Sequence, residues 1–296
     1  VSKAAARLEE DGYRVVAGIN GDFYNTSTGL PIGIVVADGE LRSSDGGYCA
    51  LGFKANGTAV IGKPQLQVNA DLGYAAYDEW GTGTQILRRI TGVNKARVSD
   101  GGIYLYTYDF NDRHTTGNAE PGVDVLCTIL DGELAVGETT RLMVEQVIEA
   151  TGATAMAENQ VVLSANLKSN TYFVDALRNV PLGTEITLTI TAADEAWNEV
   201  EYAVGALYQL AEDGEVLSGL PAGVNPRTAV GRKADGDLVF YTIDGRKNGH
   251  SIGASLSQVA QRLIELGCED VVAMDGGGST TLAITEPSDT QATYIN

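Results

Sequence analysis

Four short segments place charged or polar side chains beside glycines, and each segment adjoins an apolar run. The segments are Asn20-Gly21-Asp22-Phe23-Tyr24, Asn225-Pro226-Arg227-Thr228-Ala229, Asp244-Gly245-Arg246 with Gly249-His250-Ser251, and Asp275-Gly276-Gly277-Gly278-Ser279-Thr280. Guanidiniums, carboxylates, an imidazole and hydroxyls are the groups that bind anions and transfer protons. A site of this composition suits the cleavage of a charged substrate.

The fourth segment contains three successive glycines, which cost more backbone entropy than an ordinary hairpin turn requires. Such a run allows backbone N–H groups to turn toward a ligand and form a nest that attracts phosphate. Ser279 and Thr280 add hydroxyl donors. The alternative is a flexible turn capped by Asp275. The segment is not a Walker P-loop, because no Gly-Lys-Ser/Thr follows it.

Two arginines flank the same predicted sheet. Arg227 follows Pro226 and precedes an apolar strand, and Arg246 stands just beyond the end of the next strand. Arginine binds phosphate with two parallel hydrogen bonds and stays charged when partly buried. The alternative is that each arginine pairs with a nearby carboxylate, such as Asp244 or Asp275.

Asp244 and Asp275 each follow an apolar strand, and one helix separates the two strands. If the connection is a crossover, the strands run parallel and both carboxylates emerge at one edge. Paired carboxylates are what acid–base cleavage of a glycosidic bond needs. Asp22 is a third candidate, with an ordinary Asn-Gly-Asp turn as its alternative. His250 lies close to this predicted pocket.

These residues need a scaffold, and the strongest helix in the sequence supplies part of it. Ser255 and Gln258 form a capping box, apolar residues then recur at helical spacing, and Gly267 stands where a helix ends. Further helices are predicted at residues 2–10, 141–150 and 171–179. Strands are predicted at residues 13–19, 33–37, 40–43, 48–53, 58–61, 103–108, 123–130, 185–191, 201–207, 229–232, 238–243, 271–274 and 282–284. Both faces of strand 238–243 are apolar, which predicts burial on both sides, and the residues after Glu286 are expected to form an unfinished edge.

The whole pattern predicts an α+β fold with strand-rich mixed sheets and a few packed helices, in one domain over residues 1–296. The chain has 296 residues and is 44% hydrophobic, enough for a sizeable core. A net charge of −19 argues against nucleic acid and anionic membranes as partners. No transmembrane run is present in the sequence. The three cysteines have neither zinc-site spacing nor a disulfide pattern.

The four segments together resemble the phosphodiester glycosidase family, which includes N-acetylglucosamine-1-phosphodiester α-N-acetylglucosaminidase. The matching stretches are Gly18-Ile19-Asn20-Gly21-Asp22-Phe23-Tyr24, then Gly29-Leu30-Pro31-Ile32-Gly33, Pro226-Arg227-Thr228-Ala229-Val230-Gly231, Asp244-Gly245-Arg246 with Gly249-His250-Ser251-Ile252-Gly253, and Asp275 through Thr281. Their order and rough spacing agree over nearly the whole chain, while residues 65–200 match only loosely. Asn225 stands where the family often has histidine, and Tyr24 replaces the second aromatic of a Phe-Phe pair.

The resemblance implies a hydrolase that cleaves a sugar-1-phosphodiester to free sugar and phosphomonoester. The implied site residues are Asn20, Arg227, Thr228, Asp244, Arg246, Asp275, Gly276, Gly277, Gly278, Ser279 and Thr280. We expect Asp275 to act as nucleophile, base or sugar anchor, with Asp244 and Asp22 as further catalytic candidates. His250 joins the substrate-binding set. Sugar specificity does not carry over from the known mammalian enzyme.

Two other functions fit the same residues. One is a non-catalytic cell-surface glycan-binding module, and the other is a phosphodiesterase that acts on wall polymers. The sequence requires no cofactor, while a divalent metal between an aspartate and the phosphate is an open alternative. A glycan or small phosphodiester substrate is the expected partner. The resemblance suggests a bacterial protein of the extracellular space or cell envelope.

Overall fold

The computed structural model describes residues 2–286 and 293–294, and these form strand-rich mixed sheets with a few packed helices, which confirms the predicted fold class. The first part of the chain contributes a helix and short strands. They are α1 (Ser2–Glu10), β1 (Ala17–Ile19), β2 (Val35–Ala37), β3 (Glu40–Ser43), β4 (Cys49–Lys54) and β5 (Ala59–Gly62).

The middle of the chain closes into a β-barrel. Its elements are β6 (Gln67–Tyr77), β7 (Gly83–Val93), β8 (Ile103–Thr107), β9 (Gly122–Asp131), β10 (Thr139–Ala150), β11 (Gln160–Asn166), α2 (Thr171–Arg178) and β12 (Glu185–Thr191). The strand order around the barrel is β10-β12-β6-β7-β8-β11-β9. Alternate side chains point inward, as Val68, Ala70 and Leu72 do on β6.

The predicted helix at residues 141–150 is wrong, because this segment is strand β10. It pairs with β9 on one side and β12 on the other. A register shift between Val144 and Gln146 breaks the inward–outward alternation of the strand. That bulge places the next apolar residues at Val147 and Ile148, so the spacing imitates one face of a helix.

Helix α2 lies where it was predicted, at residues 171–178. The Asn170 side chain accepts a hydrogen bond from the Tyr172 backbone N–H and caps the helix. Val174 and Leu177 are buried against the barrel. Helix α2 therefore packs on the barrel and shields part of its core from solvent.

The last part of the chain builds a second layer. Its elements are β13 (Val200–Ala206), β14 (Tyr208–Glu212), β15 (Glu215–Val216), β16 (Arg227–Lys233), β17 (Leu238–Ile243), α3 (Leu256–Glu265), β18 (Cys268–Ala273), β19 (Leu282–Ile284) and β20 (Thr293–Tyr294). One sheet has the order β3-β2-β13-β4-β5, another β15-β14-β18-β16-β17, and a small one β1-β19-β20. The two larger sheets share an apolar cluster that includes Leu51, Val230 and Val272.

Helix α3 covers the other face of the β14–β18 sheet and keeps the predicted capping box. Strands β17 and β18 each pair antiparallel with β16, which lies between them, so they run parallel to each other. The predicted crossover is thus confirmed. Strand β17, however, lies at the sheet edge and Phe240 is exposed, so the predicted burial of both its faces is wrong.

In the described residues, no helix has the length and apolar character needed to cross a bilayer. The small sheet brings β1, near the start of the chain, against β19 near its end. Most of the expected edge after Glu286 lies outside the described residues.

Candidate active site

Three of the predicted site segments meet at one edge of the β14–β18 sheet. Arg227 begins β16 and pairs with Ile243, the last residue of β17, so Asp244 follows directly beside it. On the other side of β16, Met274 donates its backbone N–H to the Thr228 carbonyl at 3.0 Å, and Asp275 is next. The order of strands β17, β16 and β18 therefore places Arg227 between two carboxylates.

Both guanidiniums are held by neutral oxygens. Arg227 donates to the Ala254 carbonyl at 3.1 Å and to the Gly223 carbonyl at 2.9 Å. Arg246 donates twice to Asn225 Oδ1, at 3.2 and 2.8 Å. Partial burial lowers the pKa of Arg227, and the nearby positive charge of Arg246 lowers it further.

Within the described part of the chain, neither arginine has a carboxylate oxygen within 4.0 Å. The alternative in which Asp244 or Asp275 neutralises them is therefore wrong. The two guanidiniums repel each other, and their partners in the described residues are neutral amide oxygens. Their combined positive charge therefore favours the binding of an anion.

Most backbone amides of the glycine run form hydrogen bonds within the protein. Gly277 N–H donates to the Pro226 carbonyl at 2.9 Å, and Gly276 N–H donates to Asp275 Oδ1 at 2.8 Å. The N–H groups of Ser279 and Thr280 bond within the segment as well. These four amides bond within the protein, so the guanidiniums are the main donors that face an anion here.

The glycines also permit close approach. A Cβ on Gly276 would lie 2.9 Å from the Pro226 carbonyl oxygen, and a Cβ on Gly277 would lie 3.4 Å from both terminal nitrogens of Arg246. The Arg246 guanidinium therefore lies against the glycine run. A side chain at Gly276 would collide with the Pro226 carbonyl, and one at Gly277 would also need a left-handed backbone, because Gly277 has φ +62°.

Asn20 braces the site through three hydrogen bonds. Its Oδ1 accepts from the Thr228 hydroxyl at 2.7 Å and from the Thr281 N–H at 3.0 Å, and its Nδ2 donates to the Asp275 carbonyl at 2.7 Å. Thr228 is only 1% exposed. The Thr228 hydroxyl is thus engaged by Asn20, and both residues hold the motif segments together. Direct substrate contact by Thr228 stays a prediction.

Asp22 lies in a cradle of backbone amides. Its Oδ1 accepts from the Phe23 N–H at 2.7 Å, and its Oδ2 accepts from the Gly33 N–H at 3.0 Å. A Cβ on Gly33 would lie 2.6 Å from Asp22 Oδ2, and a Cβ on Gly205 would overlap the same oxygen. Burial raises the pKa of Asp22, and the Asp275 charge raises it further against the lowering effect of these hydrogen bonds.

Lys95, which sequence reasoning missed, supports this cradle from behind. Its Nζ donates to the carbonyl oxygens of Pro31, Ile32 and Gly33, at 2.9, 2.8 and 3.0 Å. Burial lowers the pKa of Lys95 to about 8, although Asp22 and a second aspartate raise it. No local pattern marks this lysine, because it belongs to the barrel and meets the site only in the fold.

On the other side of the edge, Asp244 and His250 form a pair. His250 Nε2 lies 2.7 Å from Asp244 Oδ2, and the Ser251 hydroxyl donates to the Asp244 carbonyl at 2.6 Å. A carboxylate that holds one imidazole nitrogen leaves the other available for proton transfer. The predicted proximity of His250 to the site residues is thus seen as direct contact with Asp244.

The glycines of this loop pack against the proline-arginine segment. A Cβ on Gly245 would lie 2.7 Å from the Pro226 nitrogen and 2.9 Å from Gly253 Cα. Gly253 has φ +98° and lies against the Asn225 backbone, where a Cβ would overlap it. These contacts fix the direction in which Arg246 leaves the chain.

In the described residues, no group of three or more histidine, cysteine, aspartate or glutamate side chains is arranged to hold a metal ion. Ser279 and Thr280 end the short 3-10 turn that follows Asp275 on the same connection. The four predicted segments thus meet in one place, with two cations, an Asp–His pair and two further aspartates.

The phosphodiester glycosidase family model matches residues 147–296, which is half of the chain. The chain belongs to the phosphodiester glycosidase family. This membership confirms the resemblance inferred from the four segments, and the match includes three of them.

Individual relatives of this family member are more distant. The SPbeta prophage-derived protein YomE of Bacillus subtilis is 35% identical over 72 residues, which are 24% of this chain and 10% of YomE. A hypothetical protein from Synechocystis has a similar structure, with a TM-score of 0.68 and 19% identity over 95% of this chain. A protein of Burkholderia pseudomallei K96243, named as a candidate exported protein, has a similar structure with a TM-score of 0.63 and 19% identity over 98% of this chain.

These structural likenesses show that the fold is shared. The chain covers 49% of the Synechocystis protein and 65% of the Burkholderia protein, so it spans about half to two thirds of each.

Proposed function

We propose that this protein hydrolyses a sugar-1-phosphodiester at the edge where the four segments meet. Water adds across the bond between the sugar and the phosphate, so that the products are a free sugar and a phosphomonoester. The water oxygen joins one side of the broken bond, and its protons go to the two new hydroxyl groups. Membership of the phosphodiester glycosidase family supports this reaction class.

The observation that carries the proposal is the arginine pair. Arg227 and Arg246 lie near each other with only amide oxygens as partners. A phosphodiester would supply the missing negative charge, and two guanidiniums offer it parallel hydrogen bonds. Such donors accelerate the reaction most when charge develops on the departing phosphate, because they are already oriented before it appears.

The aspartates divide the remaining work. Asp275 is our first choice for the nucleophile, base or sugar anchor, since it adjoins Arg227 on the neighbouring strand. Asp244 holds His250 and belongs to the proton-transfer side. Asp22 has both oxygens occupied by backbone amides, so we give it a positioning role.

The decisive experiment is release of phosphomonoester from glucose-1-phosphodiester and N-acetylglucosamine-1-phosphodiester substrates. Arg227→Ala and Asp275→Asn should each lower kcat/KM by about 10²-fold or more. Arg141→Ala is the matched control, because this arginine pairs with Asp131 on the exposed barrel surface. Binding of these diesters without turnover would contradict the hydrolase and support a non-catalytic glycan-binding module.

The broken bond is identified by hydrolysis in ¹⁸O-water. Label in the sugar shows C–O cleavage and label in the phosphate shows P–O cleavage, the latter matching the wall-polymer phosphodiesterase alternative. The same assay in EDTA tests the metal alternative, since loss of activity that Mg²⁺ or Ca²⁺ restores would demonstrate a required ion.

We also propose that the protein acts outside the cytoplasm of a bacterium. A structural relative named as a candidate exported protein supports this placement. The three cysteines are buried and free, so the fold needs no disulfide in either compartment. Fractionation of the producing cell with antibodies to this chain tests the placement directly.

A further inference from the structure

We propose that a cleft beside Asp275 is the subsite that binds the sugar ring of the substrate. The cleft, here called the Tyr208 cleft, lies where the β14 edge faces the β4–β5 hairpin. It is lined in part by Tyr48, Gln65, Tyr208 and Gln209. This inference rests on the proposed function, which places the phosphate on the two arginines but does not place the sugar.

The order of the strands sets the position of the cleft. Strands β14, β18, β16 and β17 are neighbours in that order. Tyr208 pairs with Ala273 on β18, two residues before Asp275, and Ala273 pairs with Ala229 on β16, two residues after Arg227. Tyr208 therefore lies on the far side of Asp275 from the Asp244–His250 pair.

Tyr208 also lies near the arginine itself. Its side chain raises the pKa of Arg227, opposing the lowering by burial. Residues paired across neighbouring strands point to the same face of a sheet, so Tyr208 and Ala229, which both pair with Ala273, point to one face. Arg227 is two residues from Ala229 on the same strand and therefore points to that face as well. The loop after β15 completes the connection, because it lines the cleft at Leu220 and supplies the Gly223 carbonyl that accepts from Arg227.

The lining of the cleft matches the chemistry of a sugar. A sugar ring has apolar C–H faces and a rim of hydroxyls, so it suits an aromatic ring surrounded by polar side chains. The cleft is lined by Tyr48 and Tyr208, which carry rings, and by Gln65 and Gln209, which carry donors and acceptors. Three charged residues, Lys63, Asp194 and Glu212, also line it and add further hydrogen-bonding groups for hydroxyls. The volume of about 800 Å³ lies within the range of small-molecule sites, roughly 300–1,000 Å³.

The direction of the substrate follows from this order. With the ring in the Tyr208 cleft, the anomeric carbon comes next to Asp275, and the phosphate follows on Arg227 and Arg246. The second group of the diester then extends toward the Asp244–His250 pair. One line of residues along the sheet edge thus corresponds to one line of chemical groups in the substrate.

The test uses tryptophan fluorescence as the binding signal. The chain has two tryptophans: Trp197, which lines the cleft, and Trp80, which is 83% exposed on the β6–β7 hairpin. Trp80→Phe leaves Trp197 as the single reporter. In this background we would titrate glucose, N-acetylglucosamine and their 1-phosphates, and measure inorganic phosphate by calorimetry.

The expected result is a separation of effects. Tyr208→Ala should weaken the binding of the free sugar and of the sugar-1-phosphate by about tenfold each. It should leave the affinity for inorganic phosphate unchanged. Arg227→Ala should weaken the binding of inorganic phosphate and of the sugar-1-phosphate, and leave the affinity for the free sugar unchanged. Tyr208→Phe keeps the ring and should stay close to wild type, and Tyr77→Ala, on the exposed hairpin, controls for tyrosine loss.

The inference is overturned if Tyr208→Ala leaves sugar binding unchanged, or if it weakens inorganic phosphate as much as the sugar. These outcomes differ from failure of the proposed function. Sugar binding that depends on Tyr208 without any turnover would support the cleft and reject the hydrolase. Turnover with unaltered KM and kcat in Tyr208→Ala would support the hydrolase and reject the cleft.

Discussion

The side chain of Asn20 donates from Nδ2 to the backbone carbonyl of Asp275 at 2.7 Å, although 255 residues separate the two in the chain. The same amide accepts the hydroxyl hydrogen of Thr228 through Oδ1. One neutral side chain thus fixes the strand end that carries the acid and the strand start that carries the arginine. Geometry between distant segments depends on these hydrogen bonds.

We predict that Asn20→Ala lowers the free energy of unfolding by about 1–3 kcal/mol, because it leaves the buried Thr228 hydroxyl and the Thr281 N–H without their acceptor. Urea denaturation measures the change. Thr228→Val removes the hydroxyl at almost constant shape and is the second arm of a double-mutant cycle. A double variant whose loss equals the sum of the single losses would show that the brace is not cooperative.

The sequence predicted the chemical segments better than the scaffold beneath them. Each motif is local, so the strand ends at Arg227, Asp244 and Asp275 could be located from apolar runs and glycines, and the capping box fixed the start of α3. The convergence of the strands followed from one crossover helix. These features depend on neighbours in the sequence.

The errors came from features that depend on distant residues. Segment 141–150 was predicted as a helix, because a β-bulge after Val144 hides the strand period. The glycine run gave no sign of the hydrogen bond from the Gly277 N–H to the Pro226 carbonyl, which depends on the neighbouring strand. Lys95 and Gly205 carry no local signal, since each acquires its role only when the barrel and the sheets meet around Asp22.

Gly205 offers a direct test of that meeting point. We predict that Gly205→Ala destabilises the protein by about 1–3 kcal/mol, because the added methyl group would overlap Asp22 Oδ2 and lie 2.6 Å from Gly33 Cα. Gly152→Ala is the matched control, since a Cβ there meets nothing within 4 Å. Equal urea midpoints for the two variants would mean that the residues around Asp22 accommodate the added methyl group without loss of stability.

The Asp244–His250 pair should act as one unit in catalysis. The carboxylate holds Nε2, so Nδ1 is the nitrogen available for proton transfer. We predict that Asp244→Asn and His250→Gln each lower kcat by about 10²-fold, within the usual range for general acid–base groups. The double variant should lose little more than either single variant, because both changes disable the same proton transfer.

The measurement is steady-state kinetics on the sugar-1-phosphodiester, with KM and kcat determined separately. His114→Gln serves as control, because this histidine stacks on Tyr108 beside the barrel. A double variant whose loss is the product of the single losses would show that the two residues work independently.

Lys95 predicts a particular dependence of stability on pH. The folded protein binds the Lys95 proton less tightly than the unfolded chain, since burial lowers the pKa of this lysine from 10.5 to about 8. The unfolded state therefore holds more protons between these values, and stability from this group rises with pH across that window. It is fully present above pH 10.5 and lost as the pH falls through 8.

Lys95→Met removes the titrating group and keeps the length of the side chain. The difference in free energy of unfolding between wild type and this variant should increase in favour of wild type from pH 8 to pH 10.5. Other titrating groups cancel in the difference, because both proteins carry them. Lys168→Met, which removes an exposed partner of Glu120, should show no such slope. A flat difference for Lys95→Met would mean that burial does not lower the pKa of this lysine.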